Sequence, residues 1–318
     1  MEKRGPFFKI MDGVPRCPNV DPILVRKALN FKAGKGDLVQ WSYPKSGTHW
    51  VQYVIQLILK RGEVVESYED FAKNTRPMEY VGLDDFRTTL ALRCFVTHLP
   101  PQPDNISDEA KYVYVARNPW DVCVSFFHMV TNLNIYCFED ATFDEFFEWF
   151  LDKDFGYGSY FNHVAAGYAL KDKPNVLFLT YEQLKRAPRP TVLKLAHFLG
   201  DSYGRLFEGE DNDLLDRILE RSSSDSMKSV VVMNLSSTEW EVMMKRNNMT
   251  CKDGYGGDST KYGIVRRAQI GDWKNYFKPD QLERFEAKIK AEGEKASFMH
   301  LWADIRGEAL QVAGLQTT

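Results

Sequence analysis

The sequence lacks a strong net charge of either sign. Its 318 residues include 41 Lys and Arg against 44 Asp and Glu, a formal net charge of −3 at pH 7. Proteins that bind nucleic acid usually carry a basic field, so this balance excludes nucleic acid as an expected partner. Any anion that the protein binds must therefore be held by a few local groups.

Cysteine and paired metal ligands are also scarce. The five cysteines are an odd number without C-x-x-C spacing, and none of the six histidines forms an H-x-x-x-H pair. Disulfide frameworks and zinc sites need such pairs. We therefore expect a reduced protein without a metal site.

Long apolar runs are missing as well. No run approaches the roughly 18 apolar residues of a membrane-spanning helix. The first residues, MEKRGPFFKIMDGVPRCP, contain no apolar segment typical of a secretory signal. These features predict a cytoplasmic protein with no membrane partner.

Four short apolar runs predict buried strands, and helical patterns follow them. The runs are DLVQWSY near 37, LRCFVTH near 92, KYVYVA at 111 and NVLFLTY at 175. Strands that alternate with helices indicate an α/β fold with a central parallel sheet flanked by helices. The length and the absence of a linker predict a single domain over 1–318.

The helical patterns have recognisable ends. Apolar spacing predicts a helix over Thr48–Leu59, and Asn118 with Pro119 is typical of a helix start. A glycine signal at Gly200 ends a later pattern. Residues 143–150, FDEFFEWF, predict an amphipathic core helix, whereas 221–228, RSSSDSMK, is typical of a flexible loop.

Polar residues follow the ends of the predicted strands. They are Lys45, His98, Arg117 and Tyr181. In open parallel sheets, ligands bind at the carboxyl ends of the strands. The coincidence predicts a binding site at that edge.

The segment WSYPKSGTHW, residues 41–50, resembles a phosphate-binding loop in an unusual order. Lys45 precedes Gly47, whereas a Walker A loop has lysine after its second glycine. The free amides of a following helix make an anion site. From these residues alone, an ordinary strand–helix turn remains an equal alternative. Likewise His98 alone could be a structural histidine, and Arg266 with Arg267 a solvated surface.

Three motifs in register resemble the cytosolic sulfotransferase family over about residues 30–290. YPKSGTHW is similar to that family's 5′-phosphosulfate loop, VYVARNPWDVCVSFFH to its 3′-phosphate segment, and RRAQIGDWKNYF to its C-terminal element. The resemblance implies a P-loop-like core. It also implies the co-substrate 3′-phosphoadenosine 5′-phosphosulfate (PAPS), its product PAP, and sulfuryl transfer without a bound metal.

The resemblance also implies a role for each matching residue. His98 is the general base, Lys45 stabilises the leaving phosphate, and Ser125 restrains Lys45. The implied nucleotide-binding residues are Lys45, Ser46, Gly47, Thr48, His49, Trp50, Arg117, Ser125, Tyr181, Ser222, Arg266, Arg267 and Ala268.

Some positions depart from the family pattern. Val96 replaces a lysine near the catalytic strand end, and Ser224 replaces a stacking phenylalanine. Ala268 replaces a glycine, which we expect to require a negative φ. Lys278 and Pro279 disrupt the usual dimer motif, so a homodimer is possible but doubtful.

Three functions stay open at this point. The favoured one is sulfuryl transfer to a small aromatic acceptor, which is a phenol, a catechol or a monoamine-like compound. The second is a small-molecule kinase, against which the missing Walker A order speaks. The third is a non-catalytic module that senses PAPS or PAP. The acceptor pocket depends on loops near 75–90, 128–140 and 235–262, whose side chains the sequence does not place.

Overall fold

A computed structural model describes residues 5–152, 156–209, 212–235 and 249–316. Of the predicted 235–262 loop, residues 236–248 lie outside the described residues. The strands of the described part are β1 (Lys9–Met11), β2 (Val14–Arg16), β3 (Asp37–Ser42), β4 (Thr75–Pro77), β5 (Arg93–Thr97), β6 (Lys111–Ala116), β7 (Val176–Thr180), β8 (Val232–Asn234) and β9 (Lys261–Gly263).

The helices in the same ranges surround the strands. They are α1 (Pro22–Leu29), α2 (Thr48–Leu59), α3 (Tyr68–Lys73), α4 (Met78–Val81), α5 (Pro119–Asn132), α6 (Phe143–Asp152), α7 (Tyr160–Tyr168), α8 (Tyr181–Arg186), α9 (Pro188–Leu199), α10 (Asp201–Leu206), α11 (Asp213–Arg221), α12 (Ser224–Val230), α13 (Pro279–Glu292) and α14 (Ala303–Val312). Short 3-10 helices cover Pro103–Asn105, Asn134–Tyr136, Asp272–Asn275 and Gly293–Trp302.

The central sheet has five parallel strands in the order β4-β5-β3-β6-β7. All four strands predicted from the apolar runs belong to it. The α/β fold with a helix-flanked parallel sheet is therefore confirmed. Two small antiparallel pairs, β1-β2 and β8-β9, lie outside this sheet. The extent of a single domain over 1–318 stays a prediction.

The sheet separates two hydrophobic clusters. Side chains of a strand alternate between its faces, so Tyr112 and Tyr114 of β6 enter one cluster while Val113 and Val115 enter the other. Helices α5, α6 and α13 cover the first face, and α2, α9 and α11 cover the second. Burial on both faces explains why the strands are almost continuously apolar.

The predicted helix ends are largely confirmed. Helix α2 spans Thr48–Leu59, and the Asn118 side chain caps α5 by accepting from the Asp121 amide at 2.9 Å. Residues 143–150 lie in α6. Gly200 does end α9, but its φ of 168° is extended rather than left-handed.

The prediction of a flexible loop over 221–228 is wrong. Helix α11 continues to Arg221 and α12 begins at Ser224. Ser223 caps α12 by accepting from the Ser226 amide, and Met227 is buried in the core. Serines that suggest a loop by composition here act as helix caps.

The strand order creates a crevice beside β3. The chain leaves β3 toward β5 on one side and returns to β6 on the other. Such a switch point opens at the carboxyl ends of the strands. No helix in the described ranges is long and apolar enough to cross a membrane.

Candidate functional site

A cavity of about 1150 Å³ opens at the carboxyl edge of the sheet. It is lined by all but one of the site residues predicted from the sequence. These are Lys45, Gly47, Thr48, His49, Trp50, His98, Arg117, Ser125, Tyr181, Ser222, Arg266, Arg267 and Ala268. The exception is Ser46, which is fully buried and does not line the cavity. Residues from four strand ends and a distant C-terminal segment therefore share one space.

The loop between β3 and α2 is held tightly at its base. Ser42 Oγ and Thr48 Oγ1 are 2.7 Å apart, and Gln40 Nε2 donates to the Thr48 carbonyl at 3.0 Å. Gly47 has a φ of 97°, and an added Cβ would lie 2.8 Å from the Tyr181 ring. Only glycine fits this position without strain. The first amides of α2 are thereby presented to the cavity as an anion site.

Arg117 joins the loop to the C-terminal segment. Its side chain donates to the Lys45 carbonyl at 3.2 Å and to the Gln269 carbonyl at 2.9 Å. The guanidinium also lies 4.3 Å from the Tyr181 ring centre. Arg117 is only 8% exposed. The guanidinium also lies 3.8 Å from Asp121 Oδ2, which balances part of its charge.

Arg266 and Arg267 share one acidic partner. Both guanidinium groups pair with Asp272, at 2.6 Å for Arg267. Asp272 is 5% exposed. Burial raises the pKa of this carboxyl, but its hydrogen bonds to Arg266 and Asn275 and the charges of both arginines outweigh burial and hold the pKa below the ordinary value. The two side chains are thus held by an ion pair at the edge of the cavity, and Arg267 is also exposed to solvent.

Asp121 of α5 anchors this C-terminal segment. It accepts from the Gly271 amide at 2.9 Å and from the Trp273 amide at 3.1 Å. The Asn118 side chain donates to the same carboxylate at 2.9 Å. A carboxylate saturated by hydrogen bonds fixes the two arginines opposite α5.

The expectation for Ala268 is wrong. Its φ is +52°, in the left-handed region rather than at a negative value. A non-glycine residue there costs roughly 1–2 kcal/mol. The segment nevertheless keeps the turn, because Arg117 holds the carbonyl of the next residue, Gln269.

Lys45 is a destabilised cation. Burial, together with the charges of Arg266 and Arg117, lowers its pKa from 10.5 to about 8. Its Nζ lies 6.0 Å from the Tyr262 ring centre. Its ammonium has no hydrogen bond to Ser125 among the described residues, so the predicted restraint by Ser125 stays a prediction. An anionic ligand would relieve this repulsion.

His98 follows β5 and faces the cavity with one ring nitrogen free of the backbone. Its Nδ1 is 2.9 Å from the Ser42 carbonyl. A carbonyl only accepts, so Nδ1 carries the proton and Nε2 keeps its lone pair. Burial is the main cause that lowers the His98 pKa. The ring is therefore neutral at pH 7 and can accept a proton.

Two other histidines lie near His98. His49 packs 5.9 Å from the Phe71 ring, and burial lowers its pKa to about 3. His163 donates through Nε2 to the His98 carbonyl at 3.1 Å, and burial likewise lowers its pKa to about 3. Both rings are therefore neutral at pH 7 and add no positive charge to the site, although a neutral ring still has one N–H donor.

The other end of the cavity is aromatic and was not predicted in detail. The hydroxyls of Tyr80 and Tyr157 are 2.5 Å apart, and the Tyr136 hydroxyl is 3.2 Å from Cys17 Sγ. These residues come from four separate segments. No periodic signal in the sequence links them, although the 14% aromatic content indicated rings for a pocket. Glu79 also lines this end and was likewise missed.

Comparison with known proteins decides the family. The family described as "Sulfotransferase domain" matches residues 35–300. The chain belongs to the sulfotransferase family. The predicted resemblance and the predicted enzyme class are thereby confirmed. In the described ranges no group of three or more His, Cys, Asp or Glu could hold a metal ion.

Named relatives and solved structures agree with this family. Sulfotransferase 1C2 of Rattus norvegicus is 30% identical over 89% of this chain and 91% of its own length. Sulfotransferase 1A1 of Mus musculus is 31% identical over 81% and 84%. The mouse sulfotransferase SULT7A1 complexed with PAP has a TM-score of 0.67 at 23% identity, over 95% of this chain and 99% of its own. A retinol dehydratase in complex with androsterone and inactive cofactor PAP has a TM-score of 0.65 at 22% identity, over 87% of both chains. These structures share the fold of this chain.

Proposed function

We propose that this sulfotransferase moves the sulfuryl group of PAPS to a hydroxyl or amine of a small aromatic acceptor. The observation that carries the proposal is the cavity itself. Its cationic end, with Lys45, Arg117, Arg266 and Arg267, opens into the same space as the neutral base His98. An anionic donor and a proton-yielding acceptor can therefore meet there.

The nucleotide end has the features that a phosphorylated adenosine needs. Four buried polar atoms in this part of the described chain have no hydrogen-bond partner. They are Gln52 Nε2, Trp50 Nε1, Arg117 Nε and Tyr181 Oη, all in residues that line the cavity. Leaving such atoms unpaired is costly, so a polar ligand fits this region better than an apolar one.

Individual roles follow from position. The α2 amides with Ser46, Gly47, Thr48 and His49 would hold the 5′-phosphate, and Arg117, Ser125, Arg266, Arg267 and Ala268 the 3′-phosphate. Trp50, Tyr181 and Ser222 would contact the adenine. Trp50 and Tyr181 pack edge to face with ring centres 5.2 Å apart, so two aromatic rings are available at this end of the cavity for contact with a base.

The chemistry is one displacement at sulfur. PAPS supplies the sulfuryl group. His98 Nε2 accepts the proton of the acceptor hydroxyl or amine as its oxygen or nitrogen forms the bond to sulfur. The bond from sulfur to the bridging oxygen breaks, and the electron pair stays on the leaving phosphate. Lys45 stabilises that negative charge.

The acceptor class is supported by the lining of the other end. Tyr80, Tyr136 and Tyr157 line it together with Phe86 and Met249. Aromatic and thioether side chains favour a flat apolar ligand. The cytoplasmic location and the weakened homodimer stay predictions.

The test is transfer of labelled sulfate from PAPS to a panel of phenols, catechols, arylamines and steroids. His98→Ala should lower kcat by about 10²–10⁴-fold with little change in PAP affinity. His300→Ala is a matched control, because His300 is an exposed histidine outside the cavity.

Two results would contradict the proposal. Equal turnover in wild type and His98→Ala would remove His98 as the base. A wild-type protein whose melting temperature rises with PAP, but which turns over no acceptor, would instead support a PAP-sensing module.

A further inference from the structure

Glu79 places an unpaired carboxylate oxygen at the acceptor end of the cavity. The residue lies in α4, is only 1% exposed, and lines the cavity. Its Oε1 accepts from the His98 amide at 2.7 Å. Its Oε2 is buried and has no hydrogen-bond partner. Only one of the two carboxylate oxygens therefore has a hydrogen-bond partner.

The neighbours of Glu79 do not complete it. Val96 lines the same cavity and pairs with Pro77 across β4 and β5, but its side chain has no donor. Arg16 is near enough to interact electrostatically with Glu79. Its Nε is nevertheless also buried without a partner, and Arg16 does not line the cavity. A buried anionic oxygen left in this state is strongly unfavourable, so the site is suited to a donor brought by a ligand.

We infer that Glu79 Oε2 binds a cationic ammonium group carried by the acceptor. The inference rests on the proposed function and narrows its acceptor class. A cation gains more than a neutral hydroxyl from a carboxylate in a site of low dielectric constant. Bound nucleotide phosphates would neutralise Lys45 and the arginines, so these groups would not repel the ammonium.

The geometry limits the size of the acceptor. Both carboxylate oxygens belong to one carbon, and Oε1 touches the backbone of the residue that carries the base. The ammonium group must therefore lie within a few ångströms of the His98 backbone while the hydroxyl reaches Nε2. A hydroxyaryl alkylamine satisfies both conditions. A steroid without a basic group does not.

The experiment uses matched ligands that differ in the amine. Binding of 4-(2-aminoethyl)phenol and of 4-ethylphenol to the PAP-bound protein is measured by calorimetry, and kcat/KM is measured with PAPS. The corresponding pair with the side chain at position 3, 3-(2-aminoethyl)phenol and 3-ethylphenol, tests a second distance between the ammonium and the hydroxyl. The wild type should favour at least one amine by about tenfold or more over its neutral partner, as expected for a charge-assisted hydrogen bond.

Glu79→Gln is the decisive variant, because it keeps an oxygen that can accept from the His98 amide. It should reduce the preference for the amine to about threefold or less while 4-ethylphenol changes little. Glu109→Gln removes one negative charge from an exposed residue outside the cavity and should leave the preference unchanged. Val96→Lys places an ammonium group of the protein itself at this position. It should weaken binding of the amine more than binding of the neutral partner.

Several outcomes would overturn the inference. The inference is refuted if neither amine binds to the wild-type protein better than its neutral partner. Equal losses for both ligands in Glu79→Gln would show that Glu79 only positions His98. Failure of the proposed function looks different, because then PAP would not bind or no acceptor of any kind would be sulfated.

Discussion

Replacing Lys45 with methionine should stabilise the protein at pH 7. The lysine is charged at this pH, although burial and the charges of Arg266 and Arg117 lower its pKa from 10.5 to about 8. Methionine has a similar length and no charge, so it removes both the desolvation penalty and the repulsion. The residue proposed to assist catalysis thus weakens the free protein.

The size of the effect follows from the pKa. A fall from 10.5 to about 8 corresponds to roughly 3 kcal/mol of unfavourable free energy in the charged state. Loss of the contact with Tyr262, at 6.0 Å from its ring centre, costs only about 0.5–1 kcal/mol. The free-energy penalty of the charged lysine is therefore larger than the stabilisation that this contact provides. We expect Lys45→Met to raise the free energy of unfolding by about 2 kcal/mol at pH 7.

The sign of the pH dependence is fixed by the lower pKa in the folded state. Between pH 8 and 10.5 the unfolded chain binds more protons at this lysine than the folded protein does. The stability of the wild type relative to the variant therefore rises with pH in this window. The advantage of the variant is complete below pH 8 and disappears toward pH 10.5.

Urea unfolding at pH 7.0 and pH 9.5, followed by fluorescence, measures this difference. Lys173→Met, at an exposed lysine, should show no pH-dependent gain. Saturating PAP should reverse the order of wild type and Lys45→Met, because the nucleotide binds the ammonium only in the wild type. A Lys45→Met protein that is no more stable at pH 7, or equally more stable at both pH values, would refute the reasoning.

Three further results are expected. Gly47→Ala should weaken PAP binding in calorimetry by about tenfold or more, because its Cβ would lie 2.8 Å from the Tyr181 ring at a φ of 97°; unchanged affinity would contradict the close packing. Ala268→Gly should raise the free energy of unfolding by up to about 1 kcal/mol, since its φ is +52°; a loss in urea unfolding would show that no strain is released. One thiol, Cys137, should react rapidly with DTNB in the native protein, because it is exposed while burial raises the pKa of Cys94 to about 12; rapid reaction of a second thiol would contradict the buried positions.

The main sheet could be predicted because its strands are buried on both faces. Apolar runs then stand out, as at Asp37–Ser42 and Lys111–Ala116. Strand β4 escaped prediction because it is three residues long and ends in Pro77. Serine composition predicts a loop over 221–228, where the structure has helix ends, because composition does not reveal which serine caps a helix. The burial of Met227 in the core stabilises helix α12, and this tertiary contact is not visible in the sequence.

The cationic end of the cavity could be predicted because strand ends and local motifs define it. The aromatic end could not. Tyr80 and Tyr157 are 77 positions apart and meet only through the fold. Asp121 and Gly271 are separated by 150 positions, yet one hydrogen bond between them orients the arginine segment. Such pairings carry no signal in a single sequence.

His98 connects the two ends of the cavity through its hydrogen bonds. Its amide donates to Glu79 of α4, its carbonyl accepts from His163 of α7, and its ring donates to the Ser42 carbonyl. Ser42 is the last residue of β3, so the backbone that orients the base continues directly into the loop that contains Lys45. A base fixed in this way needs little reorganisation when the proton is transferred. The end of β3 then fixes the position of the proposed base His98 relative to Lys45, the proposed leaving-group cation.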